Sequence, residues 1–413
     1  MLDLRAIGRD PEPVRLALAR RGDGSEARLD EALELYRRRN ALRPELEALQ
    51  ARRNEASAAI GRAKKAGEDA AEAIAEMQTV AARVRELDAE VDEVEAALAR
   101  VNATLPNPPL ASAADVDTPL HSWGEGAPAG LDHLELAGRL IDMEAGAKVA
   151  GSRFAYLKGD LVLLELALVR WALETLRGHG FEPVVPPVLV REEALFGTGF
   201  LPDTEQQIYR LADDPLYLSG TSEVALASLH AGEILDELPR RYAGFSPCFR
   251  REAGSAGRDT RGIFRVHQFD KVEMFSFVAA EDAEAEHERL LAIEEEILQT
   301  LAIPYRVVNI AVDDLGGSAA KKYDCEAWLP SQQRYRELTS TSNTTDYQAR
   351  RLDIRHRPDG GRPALVNTLN GTAVAVGRTI IALLETHQRD DATVAIPEPL
   401  VAYGAPAVIG SAR

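Results

Sequence analysis

The segment Phe249–Phe275 concentrates side chains that could bind an anionic ligand. Arg250, Arg251 and Glu252 open the segment, and a loop containing glycines and arginines follows from Gly254 to Gly262. Arginine presents a rigid fork of N–H donors that suits phosphate oxygens, and glycine lets a loop approach a ligand closely. The order of residues predicts a strand, a long mobile loop and a second strand. On spacing alone, an ordinary hairpin with a solvated basic loop is the alternative.

A second segment, Asn370–Thr379, predicts the end of a strand, a tight turn and a helix with Arg378 in its first turns. A cation near a helix N-terminus opposes the helix macrodipole. Arg378 is therefore expected to be either solvated or held in place for an anionic ligand.

Two shorter clusters add carboxyl and hydroxyl groups. Thr221, Ser222 and Glu223 follow a short predicted strand at 216–218, and the run Glu337-Leu338-Thr339-Ser340 lies further along the chain. Each cluster is a weak signal by itself, because such residues usually cap helices or lie on the surface.

Familiar nucleotide-binding and hydrolase motifs are missing from the sequence. It contains no GxxxxGK[ST] run, no GxGxxG between a predicted strand and a predicted helix, and no GxSxG. A nucleotide would therefore have to be bound by arginines on an antiparallel sheet. The only two cysteines, Cys248 and Cys325, exclude a disulfide framework and a Cys-rich zinc site.

These clusters lie in a C-terminal body that mixes helical and β-rich segments. Helical patterns cover Leu161–Arg177, Asp282–Leu301 and Val374–His387, and β-rich runs cover Ile263–Phe277 and Tyr305–Val312. Strands that follow one another without an intervening helix favour an antiparallel sheet. The predicted fold class is α+β, with an antiparallel β-sheet flanked by helices.

The first hundred residues are rich in Ala, Glu, Arg and Leu and nearly free of aromatic residues. Apolar residues recur there at coiled-coil spacing in two seams: Leu35, Leu42, Leu46, Leu49, Ala56 and Ile60, then Val80, Val84, Leu87, Val91, Val94, Leu98, Val101 and Leu105. A stripe this narrow predicts an antiparallel two-helix coiled-coil arm of roughly 50 Å, at about 1.5 Å per residue. A helix pair packed flat on the body is the alternative.

The sequence also contains signals for the ends of these two helices. Gly67 is the expected stop of the first helix, and Asp69 is the expected N-cap of the second. Pro44 removes one hydrogen bond inside the first helix at a cost of about 3 kcal/mol, so we expect a kink or a break there.

A segment rich in Pro, Ala, Ser and Gly separates the arm from the body. Prolines at several positions between 103 and 130 stop helix propagation. We therefore assign an arm to residues 1–105, a linker to 106–131 and a body to 132–413.

The net charge of −18 argues against a nucleic-acid coat protein and against binding to an anionic membrane. Near the predicted hairpin tip, however, five basic residues stand against Glu55 alone: Arg52, Arg53, Arg62, Lys64 and Lys65. Any contact with a nucleic acid is therefore expected only at a few chosen places. Without an apolar leader or a segment long enough to span a bilayer, we expect a cytoplasmic protein with no membrane partner.

Taken together and in this order, the motifs resemble those of the bacterial-type seryl-tRNA synthetases, a family of class II aminoacyl-tRNA synthetases. The resemblance runs nearly end to end, from the opening Met1-Leu2-Asp3-Leu4-Arg5 to the body. Phe249–Phe275 looks like class II motif 2 in its seryl form, and Asn370–Arg378 looks like motif 3. Gly180–Pro187 looks like motif 1, which builds the dimer interface in this class.

The resemblance implies a homodimeric ligase that works in two steps. Serine and ATP, with Mg²⁺, would give seryl-adenylate and pyrophosphate, and the seryl group would pass to the 3′ end of tRNA(Ser). Whether tRNA(Sec) is also a substrate is left open. The arm would lie against the tRNA. No metal-ligand cluster supports the zinc-dependent variant of the family, so we expect no zinc.

The resemblance also assigns residues to each ligand. The catalytic residues would be Arg250, Arg378 and Glu337. Serine would be bound by Thr221, Ser222, Glu223, Arg250, Glu273, Asn370 and Thr372. ATP would be bound by Arg250, Arg251, Glu252, Val266, Phe269, Glu337, Leu338, Thr339, Ser340 and Arg378. Glu337 and Ser340 would hold Mg²⁺, and tRNA would contact Arg52, Arg53, Arg62, Lys64 and Lys65.

Within these sets the resemblance implies specific contacts. Arg250 would hold the α-phosphate and the serine carboxylate, and Arg378 would hold the γ-phosphate end. Thr221 and Glu223 would bind the serine amino group, whereas Glu273 would bind the side-chain hydroxyl. Phe269 would stack on the adenine ring, with Glu252 and the Val266 backbone beside it.

The chain departs from the usual family pattern at two places. Thr341 and Thr344 replace two common cysteines, and Thr221-Ser222-Glu223-Val224-Ala225 stands where the family has Thr-Ala-Glu-Val-Pro. Two other functions are considered: a dedicated paralogue charging serine for antibiotic biosynthesis or resistance, and a non-catalytic coiled-coil adaptor. The intact Arg250, Glu273 and Arg378 speak against the adaptor, whereas a paralogue would keep the same motifs.

Overall fold

The computed structural model describes residues 1–202, 207–253, 257, 259, 261–358 and 361–410. The chain folds into two compact units, Met1–Leu105 and Pro106–Arg413. Gly254 and Arg258 of the loop predicted in motif 2 lie outside the described residues.

The N-terminal unit is helical throughout its regular structure. Its helices are α1 (Leu4–Ile7), α2 (Glu12–Ala19), α3 (Ser25–Ala66) and α4 (Ala71–Thr104). Arg38 lies 2.8 Å from Glu90, and Arg52, further along α3, pairs with Glu76, nearer the start of α4. The two long helices are therefore antiparallel, which confirms the predicted two-helix arm.

The predicted seam of α4 is the buried face of this helix pair. Val80, Val84, Leu87, Val91, Val94 and Leu98 are each at most 9% exposed. Val80, Val84, Leu87 and Val91 pack against Leu46 and its neighbours on α3. Leu98 belongs to a small core that joins α1 and α2 to the pair. The apolar stripe thus stabilises the arm by removing these side chains from water.

The turn between the two long helices follows the sequence signals closely. Gly67 ends α3 in the left-handed region at φ 75°, and the Glu68 N–H donates to the Ala63 carbonyl at 3.0 Å. The N-cap of α4 is Ala70, one residue after the predicted Asp69, but the Asp69 carboxylate accepts the Ala71 N–H at 3.0 Å.

Of the kink or break expected at Pro44, the break is wrong, because α3 runs without interruption from Ser25 to Ala66. Pro44 is exposed, and so is Asn40, whose carbonyl loses its helical donor and can bond to water instead. Leu42 and Leu46 on either side pack against the α4 seam. Tertiary packing therefore maintains the helix through the proline.

The C-terminal unit is built on an eight-stranded sheet with the order β1-β11-β12-β13-β16-β10-β9-β4. The strands of this unit are β1 (Thr118–Trp123), β2 (Ile141–Asp142), β3 (Tyr156–Leu157), β4 (Glu182–Val184), β5 (Leu189–Val190), β6 (Tyr209–Arg210), β7 (Tyr217–Leu218), β8 (Ile234–Leu235), β9 (Arg240–Phe249), β10 (Gln268–Val278), β11 (Tyr305–Asn309), β12 (Lys321–Leu329), β13 (Arg334–Asn343), β14 (Arg355–His356), β15 (Ala364–Leu365), β16 (Asn367–Ala375), β17 (Val394–Ala395) and β18 (Val408–Ile409). In the large sheet the pairings are antiparallel, except that β4 runs parallel to β9. The antiparallel prediction is confirmed.

The predicted linker at 106–131 contains a strand that the sequence interpretation missed. β1 pairs antiparallel with β11 and forms one edge of the large sheet. Pro119 is compatible with this position, because an edge strand has one side without ladder hydrogen bonds. The prolines stop helices, as expected, but they do not keep this segment out of the sheet.

Helices cover the sheet and enclose its core. They are α5 (His133–Ala137), α6 (Met143–Ala150), α7 (Asp160–Gly178), α8 (Glu192–Thr198), α9 (Glu223–Ser228), α10 (Ala283–Thr300), α11 (Tyr347–Leu352), α12 (Val376–Thr386) and α13 (Glu398–Val401). α10 packs against β16 and β13, whereas α7 and α12 pack against β10. The predicted helices at 161–177, 282–301 and 374–387 correspond to α7, α10 and α12.

Candidate active site

A cavity of about 340 Å³ lies on the central strands β13, β16 and β10. Most of the predicted ligand-binding residues of this unit line it: Thr221, Glu223, Arg250, Glu252, Val266, Phe269, Glu273, Glu337, Leu338, Thr339, Ser340, Asn370, Thr372 and Arg378. Residues from four distant parts of the sequence therefore meet in one place. The volume is within the range of about 300–1,000 Å³ that is typical of small-ligand sites.

Two predicted residues do not line this cavity. Ser222 is buried at the N-cap of α9, between Thr221 and Glu223, whose side chains do line it. Arg251 is exposed, and its backbone N–H donates to the Gln207 carbonyl at 2.9 Å. Both follow a residue that points into the cavity, so their side chains leave in another direction.

One end of the cavity is a buried cluster of acidic, basic and hydroxyl groups. The Lys271 ammonium forms an ion pair with Glu273 and donates to Thr221 Oγ1 at 2.7 Å. Glu223 accepts a hydrogen bond from Gln348 Nε2 at 2.8 Å through Oε1. This end can bind a small ligand that carries both an ammonium and a hydroxyl group.

Burial changes the protonation of both carboxyls in that cluster. Burial, with the negative charge of Glu273 beside it, raises the pKa of Glu223 to about 7. Burial also raises the pKa of Glu273, and the Lys271 ammonium opposes this effect. An incoming ammonium group would favour the ionised forms of both.

The other part of the cavity is lined by arginines held by backbone carbonyls. Arg250 Nε donates to the Gly220 carbonyl at 3.1 Å, and its guanidinium lies 5.2 Å from the centre of the Phe269 ring. Arg378 donates through one terminal nitrogen to the Glu337 carbonyl at 3.1 Å. Arg378, which is the third residue of α12, is thus held in place rather than left in solvent.

Glu337 has the opposite pKa shift from the carboxyls at the far end. Although burial acts against it, the positive charges of Arg378 and Lys322, followed by Arg250 and Arg265, keep its pKa below the usual range. Its Oε1 lies 3.4 Å from a terminal nitrogen of Arg378. Glu337 is therefore a carboxylate at neutral pH, among cations that suit phosphate oxygens.

Several cavity residues escaped the sequence interpretation. Lys271, Arg265, Lys322 and Phe264 all line the cavity, and Arg378 lies over the Phe264 ring at 4.6 Å. Strand alternation could have identified Lys271, because Phe269 and Lys271 are two residues apart on one face of a strand. Lys322 and Asp324, which form an ion pair, are likewise two residues apart on one strand, but the sequence interpretation did not identify this strand.

The residues predicted to hold Mg²⁺ supply oxygen atoms at the arginine-rich end. Glu337 and Ser340 both line the cavity, and Glu337 is ionised. Among the described residues, no group of three or more His, Cys, Asp or Glu side chains could hold a metal ion alone. This donor set still fits Mg²⁺, which is usually bound by one or two carboxylates together with substrate phosphates.

The predicted RNA-binding residues lie in the other unit, around the turn between α3 and α4. Arg52, Arg62, Lys64 and Lys65 are exposed, and Arg53 is partly buried. Arg52 pairs with Glu76 across the helix pair. No helix in the described part of the chain is both long and apolar enough to cross a membrane.

Comparison with known proteins decides the family. The model of the seryl-tRNA synthetase N-terminal domain matches residues 1–109, and that of the tRNA synthetase class II core domain (G, H, P, S and T) matches 207–387. A serine–tRNA ligase of Rubrobacter xylanophilus is 49% identical to this chain, and the alignment covers 100% of both proteins. The chain belongs to the seryl-tRNA synthetase family.

Solved structures of seryl-tRNA synthetases have the same fold. The enzyme of Pyrococcus horikoshii, complexed with ATP, superposes with a TM-score of 0.92 at 41% identity, covering 100% of both chains. The cytoplasmic enzyme of Naegleria fowleri, in complex with AMP, gives a TM-score of 0.85 at 30% identity, covering 98% of this chain and 96% of the other. As a seryl-tRNA synthetase, the protein is a class II aminoacyl-tRNA synthetase, and the resemblance drawn from its motifs is confirmed.

Proposed function

We propose that this synthetase activates L-serine with ATP and transfers the seryl group to the 3′ end of tRNA(Ser). The observation that carries the proposal is one cavity with two chemically distinct ends. Buried carboxyls at one end suit an ammonium and a hydroxyl, and arginines at the other suit phosphates. Relatives bound to ATP and AMP support the nucleotide assignment.

In the first step a serine carboxylate oxygen attacks the α-phosphorus of ATP. A bond forms between that oxygen and phosphorus, and the bond from phosphorus to the β-phosphate oxygen breaks, so pyrophosphate leaves. Arg250 is central to the cavity and would bind both the carboxylate and the α-phosphate. Positioning and charge stabilisation account for most of the catalysis, because no protein nucleophile is required.

Glu273 would select serine through its hydroxyl group. The side chain is 2% exposed, so the serine hydroxyl would replace solvent as a donor to it. Alanine would leave this buried carboxyl without that donor, and sites built around a substrate hydroxyl reject the analogue lacking it by orders of magnitude. Thr221 and Glu223 would bind the ammonium group.

ATP would occupy the arginine-rich part of the same cavity. Phe269 would stack on adenine, Glu252 would contact the adenine edge, and Arg378 would bind the γ-phosphate end. Mg²⁺, held by Glu337 and Ser340 together with the phosphates, would neutralise negative charge on ATP. Arg265, which pairs with Glu252 at 2.7 Å, would orient that carboxylate toward the nucleotide.

In the second step the terminal ribose hydroxyl of tRNA attacks the carbonyl carbon of seryl-adenylate. The ester bond to tRNA forms, the bond from that carbon to the phosphate oxygen breaks, and AMP leaves. The arm would contact the tRNA stem through phosphates and shape, since double-stranded RNA offers little readable sequence in its grooves. The basic residues near the turn of the arm support this role.

We also propose that the synthetase is a homodimer. Helix α7, next to the segment that resembles motif 1, leaves Val162, Leu163 and Leu166 between 39% and 60% exposed. Val185, in the motif 1 segment itself, is 80% exposed. An apolar cluster of this kind on one element suits an interface between subunits.

A dedicated paralogue for antibiotic biosynthesis or resistance would use the same cavity. No observation favours it, so we propose the general serine–tRNA ligase. The test is ATP–pyrophosphate exchange with the purified chain and each amino acid in turn. Exchange with serine and hardly any with alanine or threonine is expected. No exchange with any amino acid would refute the function.

A further inference from the structure

Glu294 carries a fully buried carboxyl beneath the end of the cavity that contains Lys271 and Glu273. It lies on α10, which packs against β13 and β16, and its exposed fraction is 0%. Thr339 Oγ1 donates to its Oε2 at 2.8 Å. Among the described residues no Lys, Arg or His forms an ion pair with it, although burial of an unpaired carboxylate is costly.

Gly371 shows how closely this carboxyl approaches the backbone of β16. A Cβ placed on Gly371 would lie 2.9 Å from Glu294 Oε1, with Met274 Cε at 3.1 Å and Thr341 Oγ1 at 3.2 Å. The carboxyl therefore occupies the space that a side chain at position 371 would need.

The two neighbours of Gly371 line the cavity. Alternate residues of a strand point to opposite faces, so Asn370 and Thr372 face the cavity while the 371 position faces α10. The same strand is joined to β13 by Thr341 Oγ1, which donates to the Asn370 carbonyl at 2.9 Å. Glu294 thus supports the cavity wall from behind, at the residue between two predicted serine ligands.

The groups around Glu294 keep it uncharged. Burial raises its pKa well above the ordinary value, and the carboxyls of Asp324 and Glu273 act in the same direction. The Thr339 hydroxyl and the Cys325 thiol, which also face it, act the other way. A neutral carboxylic acid can accept from Thr339 and pack against the strand without a counter-ion.

We propose that Glu294 is a positioning residue for the serine pocket, holding β16 at Gly371 and β13 at Thr339 from the side opposite the cavity. It touches neither substrate. Its loss lets Asn370 and Thr372 move, and small displacements of binding groups are enough to weaken binding markedly. The inference rests on the proposed function, because it takes this end of the cavity to be the serine pocket.

The first test compares Glu294→Ala with Glu294→Gln in serine-dependent ATP–pyrophosphate exchange. Glu294→Ala should raise KM for serine about tenfold and KM for ATP clearly less, because Gly371 lies between two predicted serine ligands, whereas Thr339 is one of several predicted ATP-binding residues. Glu294→Gln keeps an acceptor for Thr339 and the same shape, so it should restore both constants. An unchanged KM for serine in Glu294→Ala, or an equal rise in both KM values, would overturn the proposal.

A second test does not depend on Glu294→Ala being stable alone. Gly371→Ala pushes a methyl group against Oε1 and should raise KM for serine, whereas the control Gly178→Ala, with no atom within 4 Å of its added Cβ, should not. In the double variant Glu294→Ala/Gly371→Ala the methyl group occupies the vacated space. The fold increase in its KM for serine should be clearly smaller than the product of the fold increases in the two single variants. A fold increase equal to that product would overturn the proposal.

These outcomes are distinguishable from a failure of the proposed function. If the wild-type enzyme showed no serine-dependent exchange, the assignment of the pocket to serine would be wrong. If it showed exchange and Glu294→Ala and Gly371→Ala behaved like wild type, only the positioning role would be wrong.

Discussion

Two glutamates of this cavity, Glu223 and Glu337, have pKa values shifted in opposite directions. Burial dominates at Glu223, whose pKa rises to about 7, whereas the cations around Glu337 overcome burial and lower its pKa. The first carboxyl can respond to an arriving ammonium group, and the second is already ionised beside the proposed phosphate site. Residue identity alone does not specify these roles, because the neighbouring charges decide them.

Glu273 can be tested through the discrimination between serine and alanine. Glu273→Ala should lower kcat/KM for serine by about two orders of magnitude or more and bring serine and alanine close together, because the hydroxyl loses its buried acceptor. ATP–pyrophosphate exchange with each amino acid measures this ratio. Glu273→Gln is the matched control and should keep part of the preference. An unchanged serine preference in Glu273→Ala would contradict its role.

The raised pKa of Glu223 predicts that serine binding depends on pH. Its pKa of about 7 means that the carboxyl is protonated in the free enzyme below that pH, and only the carboxylate attracts the serine ammonium. KM for serine should therefore rise as the pH falls below 7, approaching tenfold per pH unit if this group alone controls binding. In Glu223→Gln the step near pH 7 should vanish; its persistence would assign the titration to another group.

The raised pKa of Glu223 also affects the stability of the fold. A rise in pH that improves serine binding should lower this stability. A carboxyl whose pKa is raised in the folded state keeps a proton that the unfolded chain has lost, between the ordinary value of 4.5 and about 7. The free energy of unfolding of the ligand-free enzyme should decrease as the pH rises through this window. Denaturant titrations at several pH values can measure it, and Glu223→Gln should show a smaller dependence.

Among the elements, three central strands supply many of the residues that line the cavity, and helices pack against these strands. β10, β13 and β16 are paired side by side, and α10 packs against β13 and β16 on one side. α12 begins directly after β16 and places Arg378 in the lining of the cavity. The arm is a separate element with its own apolar seam, so its surface charge can change without disturbing the sheet.

The basic residues of the arm can be tested by charge removal. Replacing Arg52, Arg53, Arg62, Lys64 and Lys65 with glutamine should leave serine-dependent exchange unchanged but raise KM for tRNA(Ser) tenfold or more, because phosphate contacts are lost. The salt dependence of tRNA binding should weaken in parallel. A control that replaces the exposed Arg334, Arg362 and Arg389 of the body should charge tRNA normally. Unaltered tRNA charging by the arm variant would contradict the assignment.

For the whole molecule, the net charge of −18 predicts that contact with RNA is limited to chosen places. Basic residues cluster near the turn of the arm, while the remainder of the chain carries most of the excess of acidic residues. The exposed apolar face of α7 is the other feature that a single chain leaves unexplained. Both features are compatible with the proposed partners, tRNA for the basic cluster and a second copy of the chain for the apolar face.

The homodimer can be tested with two leucines of equal exposure. Leu166 on α7 and Leu16 in the N-terminal unit are both 60% exposed. Leu166→Glu places a charge on the proposed interface and should shift the enzyme to monomers, as measured by analytical ultracentrifugation. Leu16→Glu adds the same charge elsewhere and should leave the mass unchanged. A Leu166→Glu protein that remained dimeric would place the interface on another surface.

The sequence by itself determined the elements whose signals are local. Heptad spacing predicted the seam of α4, Gly67 predicted the end of α3, and the family motifs identified most of the residues that line the cavity. The predictions for α3 and α4 succeeded because side-chain periodicity and backbone conformation depend on neighbours along the chain, whereas the cavity residues came from the resemblance to the family.

Tertiary structure decided what depends on contacts between distant residues. Packing against α4 keeps α3 continuous through Pro44, and pairing with β11 brings β1 into the sheet. The fold also places Lys271 and Glu294, more than 20 residues apart in sequence, around the same pocket. Their roles depend on burial and on neighbouring charges, which exist only once the strands and helices are packed, so no spacing along the chain encodes them.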